Sequence, residues 1–338
     1  MGGYAVRLWA GWLVALALGM GTLGGAGSPA AGQARQKVTF VTDFGFNGRH
    51  AYYFVALDRG YYREAGLDVQ IVRGGGSEDA IKQVGAGRAL LGFADAATLV
   101  LARGNDRVPV KLVAIVYARP PQAIYALKES GIKTPKDLEG KTVANPPGGS
   151  IVALFPLYAK FAGINPGRVK WIVADANALP ALLVSRQVDA IGQFIVGEAL
   201  IRKRASPKEL VRLAYGDVGL DYYGNGIIAT DDTLRQRPDL VRAFVRATIR
   251  GMEDAFRDPS AAGRILNKYH PEIDPDIGQG ETEAVRELAV TKTAQQHGLG
   301  YIDRLRVWKT IQVVSSAFNL RTPVSVEDAY APGFAGRP

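Results

Sequence analysis

Short apolar runs alternate with amphipathic segments along most of the chain beyond residue 36. The runs KVTFV (37–41), LDVQIV (67–72), ALLGFAD (89–95) and VKLVAIVY (110–117) are rich in aliphatic and β-branched residues and predict buried strands. The segments between them, residues 50–65, 77–84 and 96–103, carry apolar residues at helical spacing. Strands that alternate with helices indicate a mainly parallel sheet covered on both faces.

A second series of the same kind begins near residue 141. It comprises KTVAN, SIVALFPLYAKFAG, VKWIVAD, ALPALLVSR, VDAIGQF and VGEALIRKR, and Pro156 is expected to kink its first helix. After a strand-like run at 224–230 the last third is predicted to be helical, and these helices need a sheet to cover. We therefore expect the chain to return to the first unit. Two crossings, near residues 122–128 and 223–230, would then form a two-strand hinge that closes around a ligand.

The first 34 residues have a different character. A lone basic residue, Arg7, precedes an apolar run at 8–20 and a stretch rich in glycine and alanine. This is the layout of a secretory signal, because the run is short for a membrane span. Cleavage after Ala34 is expected, a site nearer Gly27 is one alternative, and an uncleaved anchor is another. The expected divisions are a signal (1–34), a first lobe (35–125), a second lobe (126–223) and a returning part of the first lobe (224–338), exported to the periplasm.

The amino-acid composition excludes several classes of functional site. The 338 residues include no cysteine, which excludes a disulfide, a thiol nucleophile and a lipid-bearing cysteine. The formal net charge is +9, but its basic cluster at 202–204 predicts a solvated helix end, so no nucleic-acid partner is expected. The three histidines are too far apart for a zinc site, and the chain has neither a GxSxG elbow nor a phosphate-binding loop. We therefore expect no catalytic residues, no metal and no cofactor.

Candidate binding residues follow the first predicted strand. Ligands of open α/β sheets lie outside the carboxyl ends of the strands, where this chain places Asp43, Phe44, Phe46, Asn47 and His50. The polar groups suit the amino and nitrogen groups of a ring, and a phenylalanine can stack on its face. The alternative is that Asp43 or Asn47 caps a helix while the phenylalanines fill the core.

Glycine-rich turns follow strands in both units. Their amides, at helix starts, can hold a carboxylate, a sulfonate or a ring oxygen, and the alternative is a plain turn with Ser77 as N-cap. The residues of these turns are Gly75, Gly76 and Ser77 in the first unit and Gly148, Gly149 and Ser150 in the second. Further candidates at strand ends or at the second crossing are Asp95, Gln193, Glu198, Tyr223 and Asn225.

One motif carries a resemblance. The pattern Asp43-Phe44-x-Phe46-Asn47-x-x-His50, followed by DRGYYREAGLDV, resembles the N-terminal signature of the NMT1/THI5-like proteins, in which Trp and Pro stand at the two phenylalanine positions. The stretches 77–103, 130–150 and 225–255 resemble later blocks of that family. The resemblance spans about residues 37–330.

This resemblance implies a fold and a function. The implied fold is the two-lobed α/β type II periplasmic-binding-protein fold, with mixed sheets, helices on both faces and the ligand between the lobes. The implied function is ligand capture for an ABC importer, by a monomer that docks on an inner-membrane permease. A thiamine-precursor-like pyrimidine or related heterocycle is the first expectation, and a sulfonate, taurine or nitrate-type anion is the alternative. The eukaryotic synthase branch, an alternative of another class, carries a cysteine-rich iron motif that this chain lacks.

Overall fold

Two five-stranded sheets form the framework of the computed structural model, which describes residues 34–43, 45–146, 150–175 and 178–336. The expected signal up to residue 33, Phe44, Gly148 and Gly149 lie outside the described residues. The first sheet has the order β2-β1-β3-β10-β4 and the second β7-β6-β8-β5-β9. The strands are β1 (Gln36–Val41), β2 (Leu67–Val72), β3 (Leu91–Asp95), β4 (Val110–Ile115), β5 (Gln122–Leu127), β6 (Thr142–Asn145), β7 (Lys170–Val173), β8 (Ala190–Phe194), β9 (Leu210–Ala214) and β10 (Asn225–Thr230).

Each sheet contains one strand that is antiparallel to the other four. β10 pairs antiparallel with β3 and β4, and β5 pairs antiparallel with β8 and β9, while the remaining pairs are parallel. The start of β10 and the start of β5 therefore lie at the same edge as the carboxyl ends of their neighbours. The predicted mixed α/β architecture is confirmed. β10 follows the strands of the second sheet along the chain and lies in the first sheet.

Helices cover the sheets and fill the last third of the chain, as predicted. The single helix predicted over 50–65 is wrong: the structure has a 3-10 turn at Gly48–His50 and then two helices, interrupted at Gly60, whose φ of 77° ends the first of them. The helices are α1 (Ala51–Asp58), α2 (Tyr61–Glu64), α3 (Ser77–Gly85), α4 (Ala96–Asp106), α5 (Ser150–Ala162), α6 (Leu179–Val184), α7 (Glu198–Ala205), α8 (Asp231–Gln236), α9 (Pro238–Arg257), α10 (Pro259–Tyr269), α11 (Pro275–Ala289), α12 (Lys292–His297), α13 (Arg304–Ala317) and α14 (Val326–Ala329).

The connections between the sheets lie earlier than expected. β5 and β10 are strands inside the sheets, so the expected lobe boundary at 125/126 falls within β5. The connecting segments are instead residues 116–121 and 215–224. The first segment hydrogen-bonds to the end of the second and to the start of β10. The backbone N–H of Gly224 donates to the carbonyl of Tyr117 at 2.9 Å, and those of Val116 and Tyr117 donate to the carbonyl of Asn225 at 2.9 and 2.8 Å.

Two helices of the last third contact both lobes. α11 packs against α10 and the 3-10 turn on the first lobe and against α7 on the second, and α13 packs against α4 and α5. None of the helices in the described part of the chain is both long enough and apolar enough to cross a membrane.

Candidate functional site

Asp43 is the centre of a buried polar cluster at the edge of the first sheet. It follows β1, and its Oδ1 lies 2.7 Å from Nε2 of His50 and 3.4 Å from the guanidinium of Arg49. Its Oδ2 accepts a hydrogen bond of 2.9 Å from Nδ2 of Asn225, at the start of β10. Three of the predicted residues, Asp43, His50 and Asn225, are thus brought together and buried. Asn47 begins the turn that carries His50 and is half-buried.

Burial shifts the pKa values of the titratable side chains in this cluster. Burial lowers the pKa of His50, against the opposing effect of its hydrogen bond to Asp43, so the imidazole is neutral at pH 7. A residue that the sequence did not indicate, Glu281 of α11, accepts a 3.2 Å hydrogen bond from the backbone N–H of Arg49. Burial raises the pKa of Glu281 to about 7 and outweighs the attraction of Arg49. No spacing signal could have found Glu281, because it is remote in sequence from the motif.

Asp95 closes β3 and caps α4. Its Oδ1 accepts from the backbone N–H of Thr98 at 2.9 Å and from the hydroxyl of Thr98 at 3.0 Å. The residue is buried, and this burial raises the pKa of its carboxyl. Ser77 does not cap α3 as expected, because its hydroxyl accepts from the backbone N–H of Asp95 at 3.0 Å and Gly76, with a φ of 140°, occupies the N-cap.

Two neighbouring acceptor atoms remain open at this edge. Asp95 and Asn225 face each other in the register of β3 and β10. The carboxylate of Asp43 only accepts, so the amide of Asn225 must turn its Nδ2 toward it, which directs its Oδ1 elsewhere. Oδ2 of Asp95 and Oδ1 of Asn225 are both buried and have no hydrogen-bond partner among the described residues. Donors from a bound molecule or from water would satisfy both oxygens.

The glycine-rich turn after β2 hydrogen-bonds to a carboxylate of the same chain. The backbone N–H of Gly75 donates to Oδ2 of Asp79 at 2.8 Å. That hydrogen bond is the main reason why the pKa of Asp79 is lowered. The Gly75 amide is therefore engaged by a carboxylate of the chain itself, which occupies the position that an anion would take.

A chain of polar side chains lies at the facing edge of the second sheet. The hydroxyl of Tyr222 donates to Oε1 of Gln122 at 2.7 Å, and Nε2 of Gln122 donates to the hydroxyl of Ser150 at 3.0 Å. Gln193, at the end of β8, turns its side-chain oxygen back onto the N–H of Phe194 at 2.8 Å. Tyr222 and Gln122 were not among the predicted residues, although Tyr222 adjoins the predicted Tyr223.

Two of the predicted residues, Glu198 and Phe46, contact other side chains of the protein. Glu198 accepts from the hydroxyl of Tyr125 at 3.0 Å and pairs with arginines at 202 and 212. The ring of Phe46 packs on those of Phe54 and His270, with centroid separations of 5.4 and 4.3 Å.

Tyr223 is directed toward α13 rather than toward the second sheet. Its hydroxyl accepts from the backbone N–H of Asp303 at 2.8 Å, and its own backbone N–H donates to the hydroxyl of Thr310.

The described residues include no group of three or more side chains placed to hold a metal ion. The polar groups at the two edges are hydrogen-bonding groups of the kind that hold a small organic molecule. Across residues 47–262 the chain matches the family described as NMT1/THI5 like.

The chain belongs to the NMT1/THI5-like family.

Two relatives are similar to this protein over nearly the whole chain. The riboflavin-binding protein RibY of Chloroflexus aurantiacus is 30% identical over 91% of this chain and 89% of its own length. The formylaminopyrimidine-binding protein of Halalkalibacterium halodurans is 26% identical over 88% of this chain and 91% of its own.

Solved structures establish the fold of this family member. The alkanesulfonate-binding protein SsuA from Xanthomonas axonopodis pv. citri, bound to MOPS, superposes with a TM-score of 0.68 over 88% of this chain and 99% of its own, at 14% identity. The two-lobed type II periplasmic-binding-protein fold is therefore confirmed, while so low an identity carries no information on the ligand.

Proposed function

We propose that the protein is the exported solute-binding component of an ABC importer and that its ligand is a nitrogen heterocycle with N–H donors, of the aminopyrimidine or flavin kind. The ligand would lie between the carboxyl-end edges of the two sheets, and the closed monomer would dock on an inner-membrane permease. The relatives that are similar over nearly the whole chain support this reading, because their names give a flavin and a pyrimidine as ligands.

The pair of open acceptors, Oδ2 of Asp95 and Oδ1 of Asn225, is the observation that carries the proposal. A buried acceptor without a donor costs about 1–3 kcal/mol, and a ligand that donates to it removes that cost. An aminopyrimidine carries two N–H donors on its exocyclic amino group, and the oxidised flavin ring carries one N–H between two carbonyl groups. Sulfonate and nitrate offer acceptors only, so they would leave both oxygens without a donor.

Charge at the first-lobe edge supports the same ligand class. The carboxyl groups of Asp43, Asp95 and Glu281 outnumber the guanidinium of Arg49 in the described part of this edge, and that guanidinium already contacts Asp43. The glycine-turn amide of Gly75 is engaged by an aspartate. A neutral ring is thus favoured over an anion, because the guanidinium of Arg49 is already paired with Asp43 and the carboxyl groups of Asp95 and Glu281 offer an anion no cation.

Capture rather than catalysis is the function proposed. The synthase branch that the sequence resembles depends on a cysteine-rich motif, and this chain has no cysteine. His50 is buried against Asp43, where its role is to hold the loop that follows β1.

A thermal-shift series tests the proposal. The protein would be melted with riboflavin, an aminopyrimidine, ethanesulfonate and nitrate. A ligand at about 100 times its dissociation constant adds about 2.7 kcal/mol, which moves the melting temperature by several degrees. We expect a shift with at least one of the two rings and none with the anions. A shift with ethanesulfonate or nitrate alone would contradict the proposal.

A further inference from the structure

Three glycines bring the 3-10 turn after β1 into backbone contact with two C-terminal helices. A Cβ on Gly48 would lie 2.7 Å from the Cα of Gly278, and one on Gly278 would lie 3.0 Å from the Cα of Gly263. A Cβ on Gly263 would lie 2.3 Å from the carbonyl oxygen of Pro275. These positions have no room for a side chain, so the turn, α11 and α10 approach more closely than helices with ordinary residues can.

This close approach places the side chain of Glu281 beneath the turn. The residue is only 5% exposed, and its carboxylate accepts from the backbone N–H of Arg49 at 3.2 Å. One residue further along the same helix, the hydroxyl of Thr282 donates to the carbonyl of Gly278 at 2.7 Å and lies 3.4 Å from the carbonyl of Gly48. α11 thus offers the turn a carboxylate acceptor for a backbone N–H.

The same helix also meets the second lobe. A Cβ on Gly280 would lie 2.7 Å from the Cβ of Ala199 in α7. Glu287 of α11 pairs with Arg212 at 3.0 Å, and Asp274, at the start of α11, pairs with Lys203 at 2.6 Å. α11 therefore contacts both the second lobe and the turn Gly48–His50 of the first lobe.

We propose that Glu281 is a positioning residue of the ligand site, which holds the turn Gly48–His50 and so fixes the direction of Asn47, Arg49 and His50. Because α11 also contacts α7, the position of the second lobe is coupled to that turn. Glu281 lies beyond the residues 47–262 that match the family. The inference rests on the proposed function for its binding effect, whereas its effect on the turn is independent of any ligand.

Two readouts on the same variants separate these effects. Amide hydrogen exchange of the peptide spanning residues 45–53 reports on the turn without ligand, and quenching of riboflavin fluorescence reports on binding. The variants are Glu281→Ala, which removes the acceptor, and Glu281→Gln, which keeps a carbonyl oxygen in its place. Glu283→Gln is the matched control, because Glu283 is two residues along the same helix, exposed, and paired only within α11 to Gln279.

The expected result is selective. In Glu281→Ala, exchange of the 45–53 peptide rises about tenfold and riboflavin affinity falls about tenfold, the scale of one lost buried hydrogen bond. Glu281→Gln restores both values to within about threefold of the parent, and Glu283→Gln changes neither. If Glu281→Ala does not fold, Glu281→Met fills the space without an acceptor and is read in the same way.

The inference is overturned if the acceptor-free variant leaves exchange of the 45–53 peptide unchanged, or if exchange rises evenly over the whole chain. A parent protein that does not bind riboflavin while the exchange result holds would count against the flavin part of the proposed function and not against the role of Glu281.

Discussion

The buried carboxyl of Glu281 makes a quantitative prediction about stability and pH. Its pKa is raised from 4.5 to about 7 because burial disfavours the charged form. Between these two pH values the folded protein holds a proton that the unfolded chain has released, so the stabilisation is complete below the unfolded pKa and is lost as pH rises through the folded one. The interval from 4.5 to about 7 corresponds to roughly 3 kcal/mol, since one pKa unit is about 1.4 kcal/mol.

The perturbation that isolates this effect is Glu281→Gln, which keeps the shape and removes the titration. Urea unfolding of parent and variant would be measured at several values between about pH 4.5 and about pH 8. We expect the parent to lose about 3 kcal/mol of unfolding free energy relative to the variant over this range. His50 titrates in both proteins, and its lowered pKa makes stability rise with pH, so its contribution cancels in the difference. Parallel curves for the two proteins would refute the reasoning.

Two further substitutions test the polar cluster and the contact between the lobes. Asp43→Ala should reduce the unfolding free energy by about 3–5 kcal/mol, because it removes the carboxylate that accepts from the buried amide of Asn225 and contacts the guanidinium of Arg49. Urea unfolding measures this loss, and a loss below about 1 kcal/mol would contradict the buried cluster. Gly280→Leu should weaken riboflavin binding at least about tenfold with little change in melting temperature, because the leucine overlaps Ala199 and the lobes can part to relieve the overlap. Fluorescence titration measures the affinity, and an affinity equal to that of the parent would show that α11 takes no part in closure.

The strands and the returning topology could be predicted because buried strands appear as continuous apolar runs. β5 is buried at every position, and β10 at all but its last residue, so both read clearly in the sequence. The place where the chain crosses between lobes could not be predicted in the same way. The connecting residues 116–121 include buried apolar side chains too, so hydrophobicity alone does not separate strand from crossing.

Some of the residues proposed for the site from the sequence do lie together in the structure. Asp43 and His50 are seven residues apart and do meet, and Asp95 and Asn225 lie at neighbouring strand ends, as the rule for α/β sheets predicts. Ser77 failed as an N-cap because a tertiary partner, the backbone N–H of Asp95, competes for its hydroxyl.

The position of Glu281 beside the turn could not be predicted from the sequence. Its partner N–H belongs to Arg49, and the contact depends on a glycine-lined crossing between elements from opposite ends of the chain. A glutamate in an amphipathic helix reads as a solvated residue, so only the packing of α11 against the turn identifies it.

The central claim, that donors of a ring ligand bind the open oxygen of Asp95, is tested most directly by titrating riboflavin into Asp95→Asn. Asparagine can still cap α4 through one oxygen, as Asp95 does for Thr98, but it presents an amide NH₂ where the ligand donor needs an acceptor. The matched control is Asp258→Asn, which changes an exposed N-cap carboxylate of α10 that accepts from Ala261. We expect both variants to fold as the parent does and an affinity loss of about 10- to 100-fold for Asp95→Asn alone. Equal affinity in Asp95→Asn and the parent would contradict the account.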